Sequence, residues 1–131
     1  MIDQQPGAGR VLGETTFPDV DAAFLMDLRG WLTRPLRGWP ASLVRNVAIV
    51  LGELMTNAYR HAGPPFGARL TVPPAGGVVR VAVCDGTASG WGWQLGRGLL
   101  IVRDLSTDWG VEHRADGKTT WAEVPVPRRN V

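Results

Sequence analysis

From Ser42 to Ala62 apolar residues recur at helical intervals, with Val44, Val47, Ala48, Leu51, Met55, Ala58 and Ala62 at i, i+3 and i+4 spacings. The pattern predicts one long helix. Gly63 offers a left-handed cap and Pro64-Pro65 forbid continuation, so the helix ends there. Upstream, Asp19 or Asp21 can cap a shorter helix whose inner face is Phe24, Leu25, Leu28 and Leu32, with Trp31 on its border. Gly38-Trp39-Pro40 breaks that pattern, and Val11 to Phe17 alternates loosely enough for an edge strand. After the double proline the period changes to two. Ala68 to Val72 alternates weakly, Pro73 to Gly77 forms a turn, and Val78 to Cys84 is strongly apolar, which reads as a hairpin whose second strand is central. A glycine-rich run containing Trp91 and Trp93 follows, and Leu99, Leu100, Val102 and Leu105 predict a short helix packed on the sheet. Trp109, Val111 and His113 alternate, Asp116-Gly117 is a tight hairpin signal, and Thr119 to Val126 supplies a last strand.

These elements add up to an α+β protein, a two-layer sandwich with two or three helices on one face of a mixed, mostly antiparallel sheet of four or five strands. Residues 1–10 are expected as a flexible N-terminal tail, 11–127 as one domain and 128–131 as a C-terminal tail. A length of 131 residues suits one domain with a core that needs no disulfides.

Composition narrows the class. Six tryptophans and ordinary apolar content argue against wholesale disorder. Net charge is +2, and the 14 basic residues, all arginine except Lys118, are scattered rather than gathered into a stripe, which argues against direct nucleic-acid binding. The single Cys84 has no partner and reads as a small buried hydrophobe in a reducing compartment. No signal peptide and no membrane-spanning stretch is evident, so a cytoplasmic location is expected.

Several polar residues fall where chemistry is possible. Glu53, Asn57 and His61 recur at i, i+4 and i+8, which lines a carboxylate and an amide oxygen along one strip of the long helix. That strip can hold a metal and a water, or it can be a solvated face. Asp85 ends the central strand; it can accept a hydrogen bond from an exocyclic amine, or simply open a turn with Gly86. Gly96-Arg97-Gly98 precedes a helix, where backbone amides can meet an anion, though loop-to-helix geometry alone also explains the glycines. Thr119 offers a hydroxyl that can reach a ligand through water, or is a β-branched strand former. Lys118 is read as solvated, and His61 as a partner of the helix C-terminus.

Taken in order, these segments resemble a known family. Glu53-Leu54-Met55-Thr56-Asn57-Ala58-Tyr59-Arg60-His61-Ala62 resembles the N box of the GHKL ATPase superfamily, which includes gyrase, the heat-shock chaperone and histidine kinases. Asp85-Gly86 is similar to the start of its G1 box, and Gly96-Arg97-Gly98-Leu99 with Val102 to its G2 box. Trp109-Gly110-Val111 and Asp116-Gly117-Lys118-Thr119-Thr120-Trp121-Ala122-Glu123-Val124 resemble the end of the anti-sigma-factor serine kinase branch. The resemblance covers roughly residues 11 to 127.

It implies a Bergerat-type fold with ATP and Mg²⁺ as cofactors. Glu53 would be the catalytic residue, orienting or deprotonating the attacking hydroxyl, and Asn57 would bind magnesium. Asp85 with Gly86 would hold adenine, supported by Thr119 through a water, while Gly96, Arg97 and Gly98 would meet the phosphates. The implied activity is a serine/threonine protein kinase that acts as an anti-sigma factor in partner-switching control of transcription. Its implied partners are a sigma factor, an anti-anti-sigma antagonist, or both, and relatives often form homodimers. One departure stands out: only ten residues, Gly86 to Leu95, separate Asp85 from Gly96, where relatives carry a longer lid. The alternative is therefore a protein-binding regulator of the same fold with a weak or vestigial nucleotide site.

Overall fold

The computed structural model describes residues 9–61, 66–85, 97–114 and 117–127, with 61, 85, 97–99 and 114 described by backbone alone. Five strands and three helices follow one another as β1 (Arg10–Phe17), α1 (Phe24–Leu32), α2 (Ala41–His61), β2 (Phe66–Val72), β3 (Val78–Asp85), α3 (Arg97–Leu105), β4 (Asp108–Arg114) and β5 (Gly117–Pro125). The strands form a single sheet in the order β1-β2-β3-β5-β4, with β3 at its centre and β1 at one edge. All four pairings are antiparallel, so the sheet is not mixed as expected. The chain leaves β3, runs through α3 to the far edge as β4, and returns as β5 into the gap. That path sets β5 directly against the central strand.

α2 is the hub of the helical layer. It packs on β3, β5 and β2 and has α1 and α3 as neighbours. Leu43, Val47, Val50, Leu51, Leu54, Met55 and Ala58 are buried, whereas Val44 and Ala48, expected in the core, are only half-buried. The core face is thus rotated toward Val50 and Leu54 relative to the sequence pattern, because that pattern cannot say on which flank a neighbouring helix will pack. The sheet meets α2 with Val79, Val81 and Val83 of β3, Ala122 and Val124 of β5, and Phe66, Ala68 and Leu70 of β2.

α1 buries Phe24, Leu28 and Leu32 at i, i+4 and i+8, and Phe17 of β1 meets Phe24 and Trp31 edge to face, with ring centroids 5.3 and 6.2 Å apart. Leu25, expected on the inner face, is 57% exposed. Neither aspartate caps the helix. Asp21 accepts the Ala23 N–H and Asp19 the Val20 N–H, while Ala23, the residue before the helix, has no side-chain cap bond. α1 ends in a turn in which Thr33 Oγ1 donates to the Gly30 carbonyl, and Gly38 at φ +84° redirects the chain toward Trp39 and Pro40. In α3, Val102 is buried and Leu105 half-buried, but Leu100 is 47% exposed rather than packed on the sheet. No helix among the described residues is long and apolar enough to cross a membrane.

Packing rather than surface charge holds these layers together. Each fully buried Leu or Val contributes about 1.5–3 kcal/mol, whereas exposed ion pairs such as Glu14–Arg69, at 2.8 Å, contribute about 1 kcal/mol or less. On α1, Leu28→Ala is expected to cost about 2–5 kcal/mol and Met26→Ala, at a position 79% exposed, to stay within about 0.5 kcal/mol. Urea denaturation of the two variants measures both.

Candidate functional site

The last turns of α2 lie at the end of the sheet where β3 stops. Tyr59 packs edge-on against Phe66, with centroids 6.5 Å apart, and Phe66 is the register partner of Asp85. On its other side Asp85 pairs with Lys118 of β5, and Lys118 in turn with His113 of β4. Asp85 continues the alternate series Val79, Val81 and Val83, all of them core residues under the helices. The backbone therefore places Asp85 at the end of the covered face, below the final turns of α2.

α3 adds a third element to this end. It closes beside β5, where the Thr107 N–H donates to the Glu123 carbonyl at 2.8 Å. Nine helical residues span about 13 Å, comparable with the roughly 17 Å of β5 from Glu123 back to Lys118. Packed against β5 and α2, the helix carries Arg97 and Gly98 back toward Asp85. Gly86 and Gly96 lie outside the described residues, as do Trp91 and Trp93.

On α2 itself, Glu53 and Asn57 are half-buried, one turn apart. Thr56 between them spends its hydroxyl on the Gly52 carbonyl at 2.8 Å. The Asn57 amide has no hydrogen bond to another described residue. Glu53 borders the groove between α1 and α2, whereas Asn57 does not. Among the described residues no group of three or more His, Cys, Asp or Glu side chains can hold a metal ion. A cation here would take one oxygen from Asn57 and the rest from phosphates and water. That sparse donor set fits magnesium bound together with a nucleotide.

Thr119 is the clearest departure from expectation. It pairs with Cys84, and the two side chains meet with Sγ and Oγ1 3.3 Å apart. Both belong to the alternate set that includes Arg80, Trp121 and Glu123, on the open face of the sheet. There Arg80 lies 4.0 Å over the Trp121 ring and within 3.5 and 3.6 Å of Glu123 and Glu112. The indole in turn rests on Gly110, where an added Cβ would lie 3.0 Å from Trp121 Cζ2. With a period of two, Lys118 and Thr120 share the face of Ala122 and Val124, at 4% and 3% exposure; Thr119 is buried as well, at 6%, so register rather than exposure separates them. Lys118 is therefore not the solvated cation expected from the sequence. The signal was the alternation Lys118, Thr120, Ala122 and Val124. Cys84 is likewise exposed rather than buried.

No family model and no curated protein matches the chain. Among solved structures it is similar to the RsbU and RsbW domains of Rv1364c from Mycobacterium tuberculosis, with a TM-score of 0.65 and 18% identity over 89% of this chain and 33% of that one. It is also similar to the histidine kinase domain of the blue-light activated histidine kinase EL346 from Erythrobacter litoralis, with a TM-score of 0.51 and 18% identity over 79% of this chain and 60% of that one. The chain shares the fold of these two domains. At this identity the likeness is one of fold, and the chain spans about a third of the first structure and three fifths of the second.

The open face makes a direct prediction. Cys84 is expected to react stoichiometrically with an aromatic disulfide reagent in the native protein, and Thr119→Val to leave that reaction complete. Followed by absorbance without denaturant, a reaction that needs unfolding would mean that this face is covered in solution.

Proposed function

We propose that the chain binds ATP with magnesium at the end of the sheet where α2, β3 and α3 meet, and transfers the γ-phosphoryl group to a serine of a partner protein. The observation that carries this reading is the register of Asp85, at the end of the covered face below the turn of α2 that bears Asn57. Asp85 would accept the adenine amino group, a contact that guanine cannot supply without leaving the carboxylate unpaired. Asn57 would hold magnesium through its side-chain oxygen, and the ion, when bound, neutralises phosphate charge. Gly96, Arg97 and Gly98 at the start of α3 would meet the phosphates with backbone amides and a guanidinium. Glu53 would orient the attacking serine hydroxyl and take its proton as the O–P bond forms and ADP departs. Such chemistry is mainly positioning and charge stabilisation. The threonine we assign beside Asp85 is Thr120, since the Thr119 hydroxyl is engaged by Cys84 on the opposite face.

The cellular role we assign is that of a cytoplasmic anti-sigma factor under partner switching, holding a sigma factor and answering to an antagonist protein. The named RsbW domain of one structural neighbour and the closing segment from Trp109 to Val124 support it. A second reading, a non-catalytic regulator with a vestigial nucleotide site, is favoured by one feature, the ten-residue stretch between Asp85 and Gly96.

Calorimetry of ATP with and without magnesium tests the site. Binding is expected to require magnesium and to weaken by about tenfold or more in Asp85→Asn, since a buried unpaired polar group costs about 1–3 kcal/mol. Thr119→Val is expected to leave affinity unchanged while Thr120→Val lowers it. Glu53→Ala is expected to keep ATP binding and abolish phosphoserine on a co-purified partner; binding without any phosphoserine in the unsubstituted protein would favour the regulator.

A further inference from the structure

A groove of about 970 Å³ runs between α1 and α2, lined among the described residues by these helices and Trp39 and by no residue of α3 or the sheet. Leu28, Leu32, Val44 and Ala48 contribute its apolar lining together with Leu25 and Ile49, which are 57% and 38% exposed. Arg29 and Arg45 also line it, both exposed and neither in an ion pair among the described residues. Glu53 lies two helical turns beyond Arg45 on α2, next to Gly52, which faces Leu25 and Leu28 of α1.

Gly52 lies where α1 and α2 meet in this groove. It is buried, and a Cβ there would lie 3.7 Å from Leu25 Cδ2 and 3.9 Å from Leu28 Cδ2, ordinary contact distances, so alanine fits without strain and adds a methyl group to the groove wall. A glycine inside a helix costs about 1 kcal/mol relative to alanine.

We propose that this groove docks an amphipathic helix of a partner protein, with an apolar stripe flanked by carboxylates. Along α2 the groove extends from Ala41 to Thr56, about 22 Å at helical rise, which suits a helix of about four turns. Carboxylates on the incoming helix pair with Arg29 and Arg45, one on each wall of the groove. A second copy is a poor occupant, because an isologous contact sets one concave surface against another. Residues 1–8 of this chain, Met1 to Ala8, carry Pro6 and Gly7 and only Met1 and Ile2 as large apolar side chains, too few for a stripe. Among the described residues the groove shares only Glu53 with the proposed nucleotide site, and neither Asp85 nor Asn57 lines it, so helix docking and ATP binding can be tested apart.

The test uses the full chain and a designed 18-residue helical peptide with a leucine stripe flanked by glutamates, against the same peptide flanked by lysines. Fluorescence anisotropy is expected to show the glutamate peptide binding about tenfold or more tighter, with the preference reversed in the double variant R29E/R45E. Ala48→Trp is expected to block both peptides. Gly52→Ala, which keeps the fold, is expected to weaken binding while raising thermal stability. Equal binding of the two peptides, no effect of the charge reversal, or no effect of filling the groove would overturn the proposal. So would sedimentation showing a dimer of this chain that Ala48→Trp dissolves. ATP titration of the same variants, expected to be unchanged, separates failure here from failure of the nucleotide site.

Discussion

The packing of α2 across β3 and β5 is the constraint on which the rest of this structure depends. Seven apolar side chains from Leu43 to Ala58 leave water along that contact, and no hydrogen bond or ion pair in the molecule matches the combined effect. Once that face is committed, the helix has no freedom to rotate. Asn57 and Glu53 are held half-buried on the remaining surface, and the C-terminal turns are tied to the end of β3 through Tyr59 and Phe66. A site at this end therefore rests on core packing some distance away from it.

The sheet imposes a second, discrete constraint. Its two faces have different chemistry: one carries the valines and alanines that meet the helices, the other a charged and aromatic cluster centred on Arg80 and Trp121. Because neighbouring residues of a strand face opposite ways, a shift of one position moves a side chain from one environment to the other. Thr119 and Thr120 differ in just this respect. The same alternation brings Lys118 into the covered layer next to Asp85 in register, and leaves Cys84 open to solvent.

The helical layer is filled unevenly. α3 and the sheet cover one side of α2, while α1 packs on the other side and leaves a groove lined by Val44, Ala48 and Gly52. Two surfaces of one helix can thus serve different ends. Glu53 stands at their boundary, bordering the groove while lying one turn from Asn57, so an occupant of the groove would press on the helix that carries both residues.

Much of the architecture was legible in the sequence. Apolar spacing determined the long helix, the change of period determined the strands after it, and the strongly apolar run from Val78 to Cys84 marked β3 as central, because local repeats reflect how each segment must bury its own face. The spacing of Glu53 and Asn57 and the position of Asp85 at a strand end were legible for the same reason. What periodicity cannot encode is which neighbour covers each flank. Tertiary structure alone decided that Val50 and Leu54 lie deeper than Val44 and Ala48, that Leu25 and Leu100 face outward, and that every strand pair runs antiparallel. It also decided which of two adjacent threonines shares a face with Asp85, since parity along β5 is set by its pairing with β3, a contact between segments far apart in the chain.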